Sequence, residues 1–246
     1  MACFIASAFR SSVILALAIS GAHAQDASAD HVKSLERTLR DYGGLLRYGS
    51  DDSELPAPKS GENRVIFFGD QITEFWSRDN AVTFSGKAWL NRGIAGQTTD
   101  QMLIRFRQDV ISLKPKVVVI QGGLNDIAGL HGSSTEEMVI DNLTSMTELA
   151  EANGIRVVLA SVTPVCNCFS KNPARERWQE RISEVNELIE KYCNSSGAMF
   201  LDYYEEMADH NDLKKDLTKD GIVPNAAGYT VMAKLAQKAI QEALAK

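Results

Sequence analysis

The sequence predicts an α/β domain, a three-layer α/β/α sandwich around a doubly wound parallel sheet of about five strands. Three observations carry this expectation. Near-continuous apolar runs rich in β-branched residues recur along the chain, as in strands covered on both faces. Between them lie segments whose apolar residues repeat at steps of three and four, marking helices with one buried stripe. The two kinds of segment alternate, which implies right-handed crossovers between parallel strands. With 246 residues, 44% of them hydrophobic, the chain can bury one sizeable core.

Residues 1–24 read as an export leader. Arg10 supplies a sparse positive start, SSVILALAIS a short apolar stretch, and AHA before Gln25 the small residues of a cleavage site. The run is shorter than the ~20 apolar residues of a membrane span. No lipid-anchor motif precedes a cysteine and no later stretch is apolar enough to span, so a soluble periplasmic or secreted product is expected. Removing the leader takes away Arg10 and no anion. That leaves 25 Lys and Arg (26 − 1) against 32 Asp and Glu, a net charge of −7. Such a charge opposes nucleic acid or anionic lipid as a partner.

Residues 25–62 read as an N-terminal helix and a linker. Val32, Leu35, Leu39, Tyr42 and Leu46 form an amphipathic stripe that can pack on the domain or on a second copy, which permits a homodimer without requiring one. GSDDSELPAPKSGEN then breaks the pattern with Pro, Gly and charge. The main domain is expected over residues 63–246. Its strands are residues 64–69, AWLNRGI as a weaker candidate, VVVIQGG from Val117, IRVVLASV from Ile155 and AMFLDYY from Ala198.

The helical stripes are Met102, Leu103, Phe106 and Val110; Met138, Leu143, Met146 and Leu149; Trp178, Ile182, Val185, Ile189 and Tyr192; and Tyr229, Met232, Leu235 and Ile240. Ser134 with Glu137 suggests a capping box for the second stripe, and Asn225 a cap for the last.

Beyond the leader the cysteines are Cys166, Cys168 and Cys193, an odd number. A Cys-x-Cys pair without a second Cys or His cluster is a poor zinc signature, and a bridge across one intervening residue is expected to be strained. Cys193 closes a helix and is expected at the opposite end of the sheet from Cys166, which disfavours a long-range disulfide. No metal and no cofactor are expected.

In open α/β sheets, ligands collect beyond the carboxyl ends of the strands. Those ends read, in order, GDQIT, RGIAGQTT, GGLND, SVTPVCNCF and DGIVPNAAGY. Four of these blocks, in this order and each after a strand or before the last helix, resemble the SGNH, or GDSL, hydrolase family of extracytoplasmic esterases and lipases. The resemblance runs from about Arg64 to the C-terminus. It implies a flavodoxin-like SGNH hydrolase fold and assigns roles to particular positions.

The first block would carry a serine nucleophile, and Gln71 stands there. Gly96 in IAGQT matches the glycine whose N–H serves the oxyanion hole, and Asn125 in GLND matches the asparagine that joins it. The last block would be Asp-x-x-His; Asp220 matches the acid, but Val223 stands at the base.

These replacements bear on the chemistry. The lone pair of an amide nitrogen is delocalised into its carbonyl, so Gln71 cannot attack as a serine does. The isopropyl group of Val223 has no lone pair with which to take a proton. Losing one triad member costs on the order of 10⁶ in rate in serine hydrolases, and losing a second adds little.

Substitutes are conceivable among the remaining residues. His131 follows the GLND block, His210 lies in a polar stretch, and Thr73, Ser77 and Cys166 carry nucleophilic atoms, none at a position that the family uses. Asp70 is expected to brace its turn, Gln97, Thr98 and Thr99 to cap the next helix, and Trp76 to be core. Gln71 is expected either to donate its amide to Asp220, left as a costly unpaired charge, or to a ligand hydroxyl, or merely to fill space.

Two functions remain open. One is a non-catalytic member binding a small-molecule acyl or glycan ligand, or a protein partner, through the inherited cleft. The other is an esterase on acylated carbohydrate or lipid with a relocated nucleophile or base.

Overall fold

The computed structural model describes residues 39–245 together with Val32, Lys33 and Glu36. By contacts the chain divides into residues 1–42 and residues 43–246. In the first unit Val32, Lys33, Glu36, Leu39 and Arg40 are helical, with Val32 and Leu39 exposed. The leader expected over residues 1–24 and Leu35 of the expected stripe lie outside the described residues. The stripe does not reach Leu46, which sits in an exposed bend of the second unit. Two glycines precede it, and Gly44 has a φ of +69°, a conformation that ends helices.

In the second unit, every apolar run identified in the sequence becomes one strand. β1 (Val65–Gly69), β2 (Trp89–Gly93), β3 (Val117–Gln121), β4 (Arg156–Ala160) and β5 (Met199–Leu201) form one sheet in the order β2-β1-β3-β4-β5. All four pairings are parallel. Helix α1 (Gly49–Glu54) precedes β1, the crossovers carry α2 (Gln71–Asp79), α3 (Thr99–Asp109), α4 (Leu124–Ile127), α5 (Glu136–Glu151) and α6 (Ala174–Ser196), and α7 (Tyr203–Met207) and α8 (Ala226–Ala245) follow β5. A small antiparallel hairpin, β6 (Ala208–Asp209) and β7 (Asp212–Leu213), lies between α7 and α8.

The unbroken apolarity of the strands has a simple cause. Successive side chains of a strand point to opposite faces, and here both faces are covered. Ile66, Phe68, Val118, Ile120, Val157 and Leu159 meet the stripes of α3, α5 and α6, except that Met138 of the expected α5 stripe is exposed and Val139 is buried in its place. Val65, Phe67, Val117, Val119, Val158 and Ala160 meet Ile72 and Trp76 of α2 and the Tyr229, Met232 and Ile240 stripe of α8. Trp76 is thus a core residue, stacked on Tyr229 with ring centres 5.5 Å apart. The Tyr229 hydroxyl donates to the carbonyl of Ile72 at 2.9 Å, tying the last helix to the first after β1.

Some local expectations shift. The cap of α5 is Thr135, whose Oγ1 accepts from the Met138 N–H, because the Ser134 carbonyl faces the Arg181 guanidinium instead. Asn225 does cap α8, its Oδ1 accepting from the N–H groups of Ala227 and Gly228. The stretch read as a linker contains α1, anchored where Asp52 accepts from Arg92 Nε at 2.9 Å and the Tyr48 hydroxyl donates to the Gly93 carbonyl. Charge and small residues alone do not signal a helix whose purpose is to bring one carboxylate to a buried arginine.

The carboxyl ends of the central strands are locked from inside. Arg105 lies on the buried side of α3 and has no exposed surface. Its guanidinium donates to the carbonyls of Gly69 and Arg92, each at 2.9 Å, to Gln97 Oε1 at 2.6 Å and to Asp109 Oδ2 at 2.9 Å. It also lies over the Phe68 ring at 4.1 Å. One side chain therefore spans the end of β1, the end of β2 and the loop that follows β2. Burial pulls the pKa of Arg105 down and pushes that of Asp109 up, the mark of two dehydrated charges that survive because each faces the other.

A lysine cannot reproduce this fork. Arg105→Lys is expected to lower stability by about 3 kcal/mol or more, a fall in melting temperature of about 6–12 °C, read by thermal unfolding of the full chain.

Candidate functional site

The first strand ends on Gly69, and the backbone turns into α2 through Asp70, whose Oδ1 accepts from the Ile72 N–H at 2.9 Å. This is an N-cap, and it makes Gln71 the first residue of the helix, pointing into the space above the sheet. The loop after β2 docks on that helical turn through two consecutive amides. The Ala95 N–H donates to Glu74 Oε2 at 2.6 Å and the Gly96 N–H donates to Gln71 Oε1 at 3.1 Å. Gly96 has a φ of +81°, a conformation that L side chains avoid, which explains why glycine presents this N–H.

The third block enters from the end of β3. Asn125, buried in α4, donates from Nδ2 to Gln71 Oε1 at 2.7 Å and to the Gln97 carbonyl at 2.8 Å. In return Gln71 Nε2 donates to Asn125 Oδ1 at 3.2 Å. Backbone groups fix both amides. The Gly96 N–H can only donate, so the atom facing it is the Gln71 oxygen; the Gln97 carbonyl can only accept, so the atom facing it is the Asn125 nitrogen. Gln71 thus places its own carbonyl oxygen between the two donors that the resemblance assigns to charge stabilisation.

The last block is built separately. Asp220 is exposed, and its Oδ1 accepts from the N–H groups of Ile222 and Val223 at 2.9 and 2.7 Å. Val223 is buried among the residues that pack under α8. Gly221, φ +86°, passes so close to the neighbouring loop that a Cβ would stand 2.5 Å from the Cys166 carbonyl oxygen. The Cys166 N–H donates to the Gly221 carbonyl at 2.9 Å, and Arg175 Nη1 donates to the carbonyls of Cys166 and Asp220.

The expected hydrogen bond from Gln71 to Asp220 is not formed: the amide is taken by Asn125 and Gly96, and the carboxylate turns back on its own loop. Because Asp220 is exposed and accepts from two N–H groups, the expected cost of an unpaired buried charge does not arise.

Residues 62–231 match the GDSL-like Lipase/Acylhydrolase family. The chain belongs to this family. Among solved structures it is similar to an acylhydrolase candidate from Bacteroides fragilis NCTC 9343, with 39% identity, a TM-score of 0.78, and coverage of 82% of this chain and 98% of that one. It is also similar to a GDSL-like lipase from Bacteroides thetaiotaomicron VPI-5482, with 38% identity, a TM-score of 0.77, and coverage of 82% and 99%. A lipoprotein of Bacillus subtilis (strain 168) is 29% identical over 183 residues, 67% of this chain and 70% of the relative.

Within this GDSL-like scaffold, the other nucleophilic and basic side chains singled out in the sequence lie as follows. Cys166 is bonded to Cys168, with their Cα atoms 5.3 Å apart. Cys193 is free and buried in the core, its thiol pushed up to about 12 by burial. The Ser77 hydroxyl donates to the Glu74 carbonyl one turn back, and Thr73 is buried under the first turn of α2. His131 is exposed in the loop beyond α4, and His210 sits at the exposed tip of the β6–β7 hairpin beside Asp209. Among the described residues no group of three His, Cys, Asp or Glu side chains is arranged to hold a metal ion.

Several residues that position the GDSL-like blocks escaped the sequence reading. Gln97 is not a helix cap; it receives Arg105, donates from Nε2 to the Gly43 carbonyl, and gives its own carbonyl to Asn125. Asp126 accepts from the N–H and hydroxyl of Thr99, welding the start of α3 to the third block. Thr98 is the cap, its N–H donating to Gln101 Oε1. One signal was available: Arg105 and Asp109 stand on the same stripe as Met102, four residues apart and of opposite charge, which marks a buried pair.

Asp70 carries a measurable consequence. It has no exposed surface, its Oδ2 has no hydrogen-bond partner, and burial, helped by the charge of Asp126, pushes its pKa from the usual carboxylate range to about 7. A folded-state pKa above the unfolded one means that stability is fully present at acid pH and is lost as pH rises through about 7. Wild-type protein is therefore expected to lose a few kcal/mol between about pH 4 and pH 8 through this group. Asp70→Asn keeps the acceptor for Ile72 and cannot ionise, so its melting temperature should fall less over that range, by several degrees, in calorimetric scans at stepped pH.

Proposed function

We propose that this GDSL-family chain is an exported, non-catalytic member whose cleft binds a small-molecule acyl or glycan ligand. The observation that carries the reading is the position of Gln71. It occupies the place of the nucleophile with a group that cannot attack, and its carbonyl oxygen accepts from the Gly96 N–H and Asn125 Nδ2, where a substrate carbonyl would be activated.

Three further facts support it. Val223 offers an alkyl group within the hydrophobic core, so Asp220 has no imidazole to orient. Cys166 has no thiol to serve as a substitute nucleophile. Leu130, half exposed, comes within 3.5 Å of a Cβ position on Gly96 and gives the mouth of the pocket an apolar rim suited to an acyl chain. The similarity to a Bacillus subtilis lipoprotein and the leader-like residues 1–24 support export. No helix of the described residues is long and apolar enough to cross a membrane.

Native protein incubated with p-nitrophenyl acetate and longer esters should release nitrophenol at the buffer rate, and a fluorophosphonate probe should leave it unlabelled. Gln71→Ser combined with Val223→His should gain turnover, because the two donors remain in place. Turnover by the unmodified protein well above buffer overturns the reading.

A further inference from the structure

The pocket around Gln71 is more selective than a pair of donors. Asn125 is clamped by the Gln97 carbonyl on its nitrogen, at 2.8 Å, so its Oδ1 is held facing the pocket as a fixed acceptor. The site therefore presents three groups in one small space: the Gly96 N–H and the Asn125 Nδ2–H as donors, and Asn125 Oδ1 as an acceptor. The Gln71 carboxamide satisfies all three, its oxygen at 3.1 and 2.7 Å and its nitrogen at 3.2 Å.

This reciprocal pairing of two amides closes a ring, and it requires the ligand's oxygen and N–H to lie on the same side of the C–N bond. A primary carboxamide meets that condition. An ester does not: it has no N–H, so Asn125 Oδ1 would be left buried and unpaired or would face another lone pair. An ordinary trans secondary amide fails as well, because its N–H points away from its carbonyl oxygen.

Resting on the reading of the cleft as a ligand pocket, we propose that it is a carboxamide site. In the free protein Gln71 occupies it as a tethered stand-in, and the ligand that replaces that side chain presents a primary carboxamide or carbamoyl group. Recognition is by shape of hydrogen bonding, and no covalent step is involved. The tether gives Gln71 a high effective concentration, so an isolated small amide competes weakly with it. A natural ligand must add contacts on the rim, at Leu130 and the adjoining loops, to displace it.

The test uses the full chain with Gln71→Ala, which vacates the carboxamide and leaves Gly96 and Asn125 in place. Acetamide, N-methylacetamide and methyl acetate are titrated separately while the Gly96 amide and the Asn125 side-chain NH₂ are followed by NMR. Acetamide should bind saturably and move both resonances, with the other two weaker by about tenfold or more, since each leaves a buried acceptor unpaired. Acetamide should also bind native protein at least about tenfold more weakly than the variant, and Gln71→Ala with Asn125→Leu should abolish its binding.

Equal affinity for the three probes, or saturable binding of none, overturns the proposal. Gln71→Ser provides the same comparison if the alanine variant does not fold. Failure here is distinct from failure of the non-catalytic reading: ester turnover by native protein would end that reading and leave the order of probe affinities intact.

Discussion

A single buried guanidinium holds the working end of this sheet together. Parallel strands end in loops that have no partner in the ladder, and something must fix where those loops stop. Arg105 does so by donating to the last carbonyl of β1, to the Arg92 carbonyl near the end of β2 and to Gln97 in the loop beyond. A dehydrated cation is tolerated only while every one of its directions is met, so it tolerates little displacement of those groups. Gln97, once held, presents its carbonyl to Asn125, and Asn125, once oriented, presents both ends of its amide to Gln71. The order of the pocket descends from the core outward in three contacts.

This dependence explains a feature that would otherwise look arbitrary. In this GDSL-family chain the Gly96 N–H and Asn125 Nδ2 converge on one oxygen, that of the Gln71 side chain. In the free protein their hydrogen bonds are answered by a residue of the same chain. Leaving both donors and the Asn125 oxygen without partners in a half-buried pocket would cost more than filling it, and a glutamine reaches all three. The Gln71 side chain is complementary to the groups around it.

Much of the architecture was legible in the sequence because hydrophobic periodicity reports burial directly. Runs such as VIFF and VVVI are apolar at every position, as a strand covered on both faces requires, and the five strands appear where those runs lie. The membership of Gln71, Gly96 and Asn125 in one pocket was legible too, since chain order and strand ends bring those blocks together. What failed depended on loop backbone: the exposure of Asp220 and the turn that gives its carboxylate to Ile222 and Val223. Periodicity says nothing about such turns. The polar hub was hidden for another reason, since the eye discounts Arg105 and Asp109 on a stripe where apolar residues are sought.

The hydroxyl of Tyr229 reaches Ile72 across 157 residues of sequence. During synthesis, therefore, the turn bearing Gln71 is laid down early but gains its far support only when the closing segment has left the ribosome. A chain stopped before that segment would carry Gln71, Gly96 and Asn125 and still lack the hydroxyl that holds the Ile72 carbonyl beside them. The last helix to be made is the one that ties down the first turn after β1.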